Sequence, residues 1–118
     1  MTATTVDVET SPDGTLVIQP HGVLDADDAV ELRRTLVHAV RHLRPLRLVL
    51  DLHDVADIDP INLGTLVAAC FLGDDHQVAV FLDRSSPAIA DRLSAAGVAT
   101  HRLREVRVTP DGQALPAA

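Results

Sequence analysis

From Pro60 to Gly73 the chain carries no charged side chain, and a chain this short has few ways to accommodate such a segment. Asp59 just ahead of it can cap a helix by accepting from free backbone N–H groups, and Pro60 falls at the first helical position, where a missing N–H costs nothing. The run is therefore predicted to be a helix, closed by Gly73. At about 100° per residue, Leu63, Leu66, Val67 and Cys70 form a stripe for the core, and Ile61, Thr65, Ala68 and Leu72 form a second stripe on the opposite side. Either the helix is sandwiched inside the domain, or its second stripe docks a partner or another copy of the chain. The chain has 118 residues, the length of one domain, and only two other helices are predicted to cover this one. The interface is the favoured reading.

Composition narrows the partners. Aromatics make up 2 % of the chain, Phe71 and Phe81 alone, so the core is expected to be aliphatic and a base-stacking nucleic-acid surface is excluded. Seventeen acidic residues against ten basic ones give a net charge of −7, which argues against nucleic acid or an anionic membrane as partner. The single cysteine, Cys70, has no internal disulfide partner. No apolar run approaches the roughly 18 residues of a membrane span, and no leader-like segment opens the sequence. The expectation is a soluble, cytoplasmic protein without membrane insertion.

Thr5 to Glu9 and Thr15 to Pro20 flank Ser11-Pro12-Asp13-Gly14, which predicts a hairpin. Asp25, with Asp28 three positions later, makes a capping-box-like start for a helix over Ala26 to His42. On it Ala29, Leu32, Leu36, Val40 and Leu43 share one face, opposite Glu31, Arg34, His38 and His42. Arg47 to Leu52 reads as a central strand and Gln77 to Leu82 as another. Ser86-Pro87 starts a helix ending at Gly97, with Ile89, Leu93 and Ala96 buried. Thr100 to Val108 is a last strand. The order is β-β-α-β-α-β-α-β in one α/β domain over residues 5–108, with residues 109–118 a disordered or loosely packed tail.

Few residues suggest chemistry. An acid-ended strand resembles a phosphorylated receiver, but that mechanism needs a lysine and the chain has none. His38 and His42 have metal-sharing spacing on a polar face without further ligands, and Cys70 lies on the core stripe with no neighbouring histidine. Asp25, Asp27 and Asp28, with Asp54, Asp57 and Asp59, form the main acidic concentration, which turns and helix starts explain better than a cation does. No phosphate loop, nucleophile elbow or catalytic triad order is visible. No catalytic residue, cofactor or metal is expected.

Gly22-Val23-Leu24-Asp25, the strand Leu48-Val49-Leu50-Asp51-Leu52, Asp59 followed by Leu63-Gly64-Thr65-Leu66, and the helix end Leu93 to Gly97 together resemble the STAS family, from about Val6 to Val98. That family comprises bacterial anti-sigma-factor antagonists and cytosolic modules of sulfate transporters. The resemblance implies a mixed central sheet with helices chiefly on one face. It also implies binding of an anti-sigma factor through the loop and helix corresponding to Ala56 to Leu66. Antagonists of the family carry Asp-Ser-Ser-Gly or Asp-Ser-Thr-Gly at the helix start, phosphorylated on the second hydroxyl. Here the four residues are Asp59-Pro60-Ile61-Asn62, so the acceptor position is an isoleucine.

The expected function is thus a non-enzymatic module that binds an anti-sigma factor or related signalling protein without phosphorylation control. The expected contact residues are Asp25, Asp57, Asp59, Ile61, Asn62, Thr65, Ala68 and Leu72. The alternatives are a subunit of a transporter or scaffold complex, a homodimer formed through the same face, and a sensor of a small ligand, a nucleotide or a lipid, near Ala56 to Asn62.

Overall fold

The computed structural model describes residues 6–104, together with the backbone of 106–108 and 114–116. Strands β1 (Val6–Thr10) and β2 (Thr15–Pro20) form the expected hairpin. Its turn needs Gly14 at φ +85°, and Asp13 Oδ1 accepts from Thr15 N–H at 3.1 Å. After β3 (Gly22–Leu24) come a 3₁₀ turn (Ala26–Asp28), helix α1 (Ala29–His38) and a π turn (Ala39–Leu43). Strands β4 (Arg47–Asp51) and β5 (Val55–Ile58) lead to helix α2 (Pro60–Asp75). Then follow β6 (Ala79–Asp83), α3 (Pro87–Ala96), a 3₁₀ turn (Thr100–Arg102) and β7 (Leu103–Arg104). The last described elements are β8 (Val106–Val108) and β9 (Ala114–Pro116).

The main sheet has five strands in the order β1-β2-β4-β6-β7. It is mixed: β1 runs antiparallel to β2, while β2, β4, β6 and β7 are parallel. Because side chains alternate across a sheet, its register stacks aliphatic residues in rows. Leu16, Leu48 and Val80 are in register, as are Ile18, Leu50 and Leu82, and all are buried. These rows and Leu32, Leu36, Leu66, Ile89 and Leu93 of the helices form one core cluster. The opposite face carries the in-register row Val17, Val49 and Phe81, where the Arg104 guanidinium lies over the Phe81 ring at 4.0 Å. The predicted mixed-sheet α/β domain is therefore what forms, with an aliphatic core.

The differences lie in local geometry. The sequence reading had no β3 or β5; these strands of three and four residues pair only with each other and are too short for periodicity to register. The first helix was expected to be continuous to His42. Instead Arg44 N–H reaches back five residues to Ala39 C=O at 2.9 Å, and this wide turn buries Ala39 while swinging Leu43 out to 53 % exposure. Ala96, expected to be buried, is exposed, whereas Gly97 ends α3 at φ +115° as predicted.

Gly73 does not close its helix, which continues to Asp75. It sits where α2 crosses β6, and a Cβ there would lie 2.5 Å from Val80 Cγ2 and 2.6 Å from the Val78 carbonyl oxygen. The expected last strand is divided between β7 and β8, and β8 pairs antiparallel with β9. The rest of the expected tail, residues 109–113 and 117–118, lies outside the described residues.

The two helical glycines of α2 should respond oppositely to alanine. Gly73→Ala should cost about 1–3 kcal/mol of unfolding free energy through overpacking against backbone. Gly64, with open space around its Cα, should gain roughly 0.5–1 kcal/mol as alanine from reduced unfolded-state entropy. Urea denaturation of both variants reads this directly.

Candidate functional site

The start of α2 is fixed from several sides. Asp59 Oδ1 accepts from Ile61 N–H at 2.9 Å, and Asp59 N–H donates to the Leu24 carbonyl at 2.7 Å. Asn62 turns inward, fully buried, and its Nδ2 donates to the Asp25 carbonyl at 2.6 Å. Asp25 in turn caps the 3₁₀ turn in a capping box with Asp28. Asp57 Oδ1 accepts from Arg92 Nη1 of α3 at 2.8 Å. The Ile58 N–H bond, then that of Arg92, hold the Asp57 carboxyl below the usual carboxylate range.

Of the predicted contact residues, Asp25, Asp57, Ile61 and Ala68 are exposed; Asp59, Thr65 and Leu72 are half-buried. Asn62 is a correction: at 0 % exposure it ties α2 to the Asp25 loop and presents no side chain to a partner. Its Oδ1 is buried without a hydrogen-bond partner among the described residues.

The second stripe of α2 is not sandwiched. Ile61 is 57 % exposed, while Leu72 packs partly against the core. With Arg33, Val37 and Arg41 of the first helical segment, the stripe lines an open groove of about 430 Å³. The sequence reading missed these three residues because it took the first helix as an isolated amphipathic element.

It also missed Phe71, 62 % exposed on another face of α2. The buried residues of α2 are Asn62, Leu63, Leu66, Ala69, Cys70 and Gly73, an arc containing an amide and a glycine that a hydrophobicity count passes over. Val67, assigned to the core, is half-buried.

Elsewhere, polar side chains pair among themselves. Asp51 and Asp83, in register at the carboxyl ends of β4 and β6, bind Arg84 and Arg104 respectively. Burial pushes the Asp51 carboxyl up, but bonds from Arg84 and His53 outweigh it and leave the group below its usual range. His21 bridges Asp54 through Nδ1 and Asp7 through Nε2, the latter at 2.8 Å, and these two carboxylates, Asp54 first, raise its pKa above the usual 6.5. Cys70 is a buried free thiol whose pKa burial raises. His38 and His42 stack at 5.2 Å between ring centres. Among the described residues, no three His, Cys, Asp or Glu side chains are placed to hold a metal ion, and no helix is long and apolar enough to cross a membrane.

The family profile described as "Mlab, STAS domain" matches residues 8–106. No curated protein matches the sequence. Among solved structures, SpoIIAA, the Bacillus cell fate determinant in its phosphorylated form, is similar at 15 % identity and TM-score 0.73, covering 91 % of this chain and 94 % of that one. An anti-sigma factor antagonist from Mycobacterium paratuberculosis is similar at 27 % identity and TM-score 0.68, covering 92 % and 89 %. The murine Slc26a9 anion transporter is similar over 73 % of this chain and 14 % of its own, at 17 % identity and TM-score 0.62.

The bridged histidine gives the site's flank a pH dependence. His21 holds its proton more tightly folded than unfolded, so its contribution is complete below the unfolded value near 6.5 and is lost as pH rises through the higher folded value. Denaturation midpoints should fall as pH rises through that window in the wild type, and this decline should be absent in His21→Gln. Asp51 and Asp57 have the opposite sign: their stabilisation is lost as pH falls below the usual carboxylate value of 3.8.

Proposed function

We propose that this chain, which belongs to the STAS domain family, is a non-enzymatic module that binds a signalling protein of the anti-sigma-factor type through α2, with no phosphorylation switch at the helix start. The observation that carries this reading is Ile61. It stands 57 % exposed in the first turn of a capped helix that carries no charge before Asp74, beside the groove that Thr65, Ala68 and Leu72 continue. An isolated exposed isoleucine is ordinary; one that continues into an apolar groove along the uncharged stretch of a helix is the pattern of a docking anchor.

The isoleucine offers no hydroxyl to a kinase. The first hydroxyl along the helix, Thr65 Oγ1, donates to the Ile61 carbonyl at 3.1 Å and lies a turn deeper, past the strongest part of the helix dipole. An apolar side chain at the helix start also avoids the charge that a phosphate would bring to a docking face.

A second reading, a STAS module seated in a transport assembly, is supported by the likeness to transporter domains, and the identity of the co-purified protein separates the two.

Ile61→Glu should leave unfolding free energy within about 0.5 kcal/mol while weakening partner capture by roughly tenfold or more. Leu66→Glu should instead unfold the chain, because it buries an unpaired carboxylate. If Ile61→Glu melts like the wild type and captures the same partner equally well, this docking face is wrong. Peptide mapping of protein from its own cells should find residues 59–66 unphosphorylated; stoichiometric phosphate on Thr65 would return a switch to the helix.

A further inference from the structure

The nine arginines whose side chains are described divide into two groups. Arg47, Arg84, Arg92, Arg102 and Arg104 each bind an aspartate, and Arg34 lies 3.6 Å from Glu31. Arg33 and Arg41 are exposed and have no carboxylate or other hydrogen-bond partner among the described residues, in a chain of net charge −7. Both line the groove between α1 and α2, and no acidic residue lines it. Arg44, similarly unpaired among the described residues, lies away from it, beside the hairpin turn.

A chain with an excess of carboxylates that leaves two guanidiniums unpaired beside an apolar groove has left them for charges from outside. The groove floor supplies Ile61, Ala68 and Leu72, with Val37 opposite. Resting on the reading that α2 docks a protein, the geometry points to the partner element: an acidic amphipathic helix, its aliphatic face on this floor and its carboxylates on Arg33 and Arg41.

The spacing of the two arginines sets the register. They are eight residues apart, about two turns along α1 and the π turn that follows it, so the occupant should carry carboxylates two turns apart, flanking its apolar stripe. Arginine suits this role because its planar fork pairs with carboxylates in bidentate geometry. A second copy docking the same face would bring the unpaired guanidiniums of both chains together with no carboxylate in the groove to offset them, which disfavours a homodimer here.

The probe is a fluorescein-labelled fifteen-residue helical peptide (length set by design, about four turns). It carries leucines at i, i+4 and i+7 and glutamates two turns apart beside them. Matched peptides carry glutamine or lysine at the glutamate positions. Fluorescence anisotropy is measured on the full chain, on Arg33→Glu/Arg41→Glu and on Ile61→Glu, each checked by denaturation.

The glutamate peptide should bind the wild type, bind the charge-reversed variant at least tenfold more weakly, and lose affinity with added salt. The lysine peptide should recover binding on the charge-reversed variant, and Ile61→Glu should weaken the glutamate and glutamine peptides. Equal binding of the glutamate and glutamine peptides, or no binding of either, overturns the acidic-helix inference. In that event partner capture by Ile61→Glu separately decides whether α2 docks a protein at all. Binding to phosphatidylglycerol vesicles that charge reversal abolishes, without peptide binding, would assign the groove to lipid head groups. A wild-type dimer in sedimentation that Ile61→Glu dissociates would assign it to a second copy. Either result overturns the proposal.

Discussion

The two hydrogen bonds that anchor the start of α2 determine which face of the helix meets solvent. Asp59 N–H to Leu24 C=O and Asn62 Nδ2 to Asp25 C=O, at 2.7 and 2.6 Å, join α2 to the strand and turn that precede α1. Successive helical residues point about 100° apart, so an inward Asn62 sets Ile61 outward. The buried Asn62 amide thereby fixes the rotation of α2, and that rotation creates the groove.

The rest of the core follows from packing aliphatic residues without aromatic bulk. Leucine, isoleucine and valine rows across β2, β4 and β6 are in register, so the sheet presents an even surface and the helices can lie close to it. Gly73 marks the closest approach, where even a methyl group would meet β6. A helix held this close to the sheet leaves little of its far side covered, and α1 meets only part of it.

Much of this was legible in the sequence. Caps and prolines located the starts of α2 and α3, the turn residues located the hairpin, and apolar runs located β4 and β6. The order of these pieces was enough to suggest the family and its mixed sheet. Features set by tertiary geometry were not legible. The π turn arises from how the end of α1 packs, and β3 and β5 exist only through each other. Asn62 read as a surface residue because its burial depends on a carbonyl from a distant loop. Gly73 read as a helix stop because a glycine selected for closeness looks in sequence like one selected for a left-handed turn. Ile61 was legible because helical periodicity set it opposite the core stripe, and the resemblance placed it at the acceptor position as well; Arg33 and Arg41 required the second helix to be seen beside the first.

The carboxyl end of the sheet has a consequence for how such a sequence can change over time. Asp51 on β4 binds Arg84 just after β6, and Asp83 on β6 binds Arg104 on β7, so each strand's acid is answered from the strand beyond it. Both aspartates are buried, and losing either arginine alone strands a carboxylate in a poorly solvated place. Replacing an acid and its base together by apolar residues avoids that penalty. Stability therefore favours coupled exchange at these positions, because a single replacement passes through a chain less stable than either end.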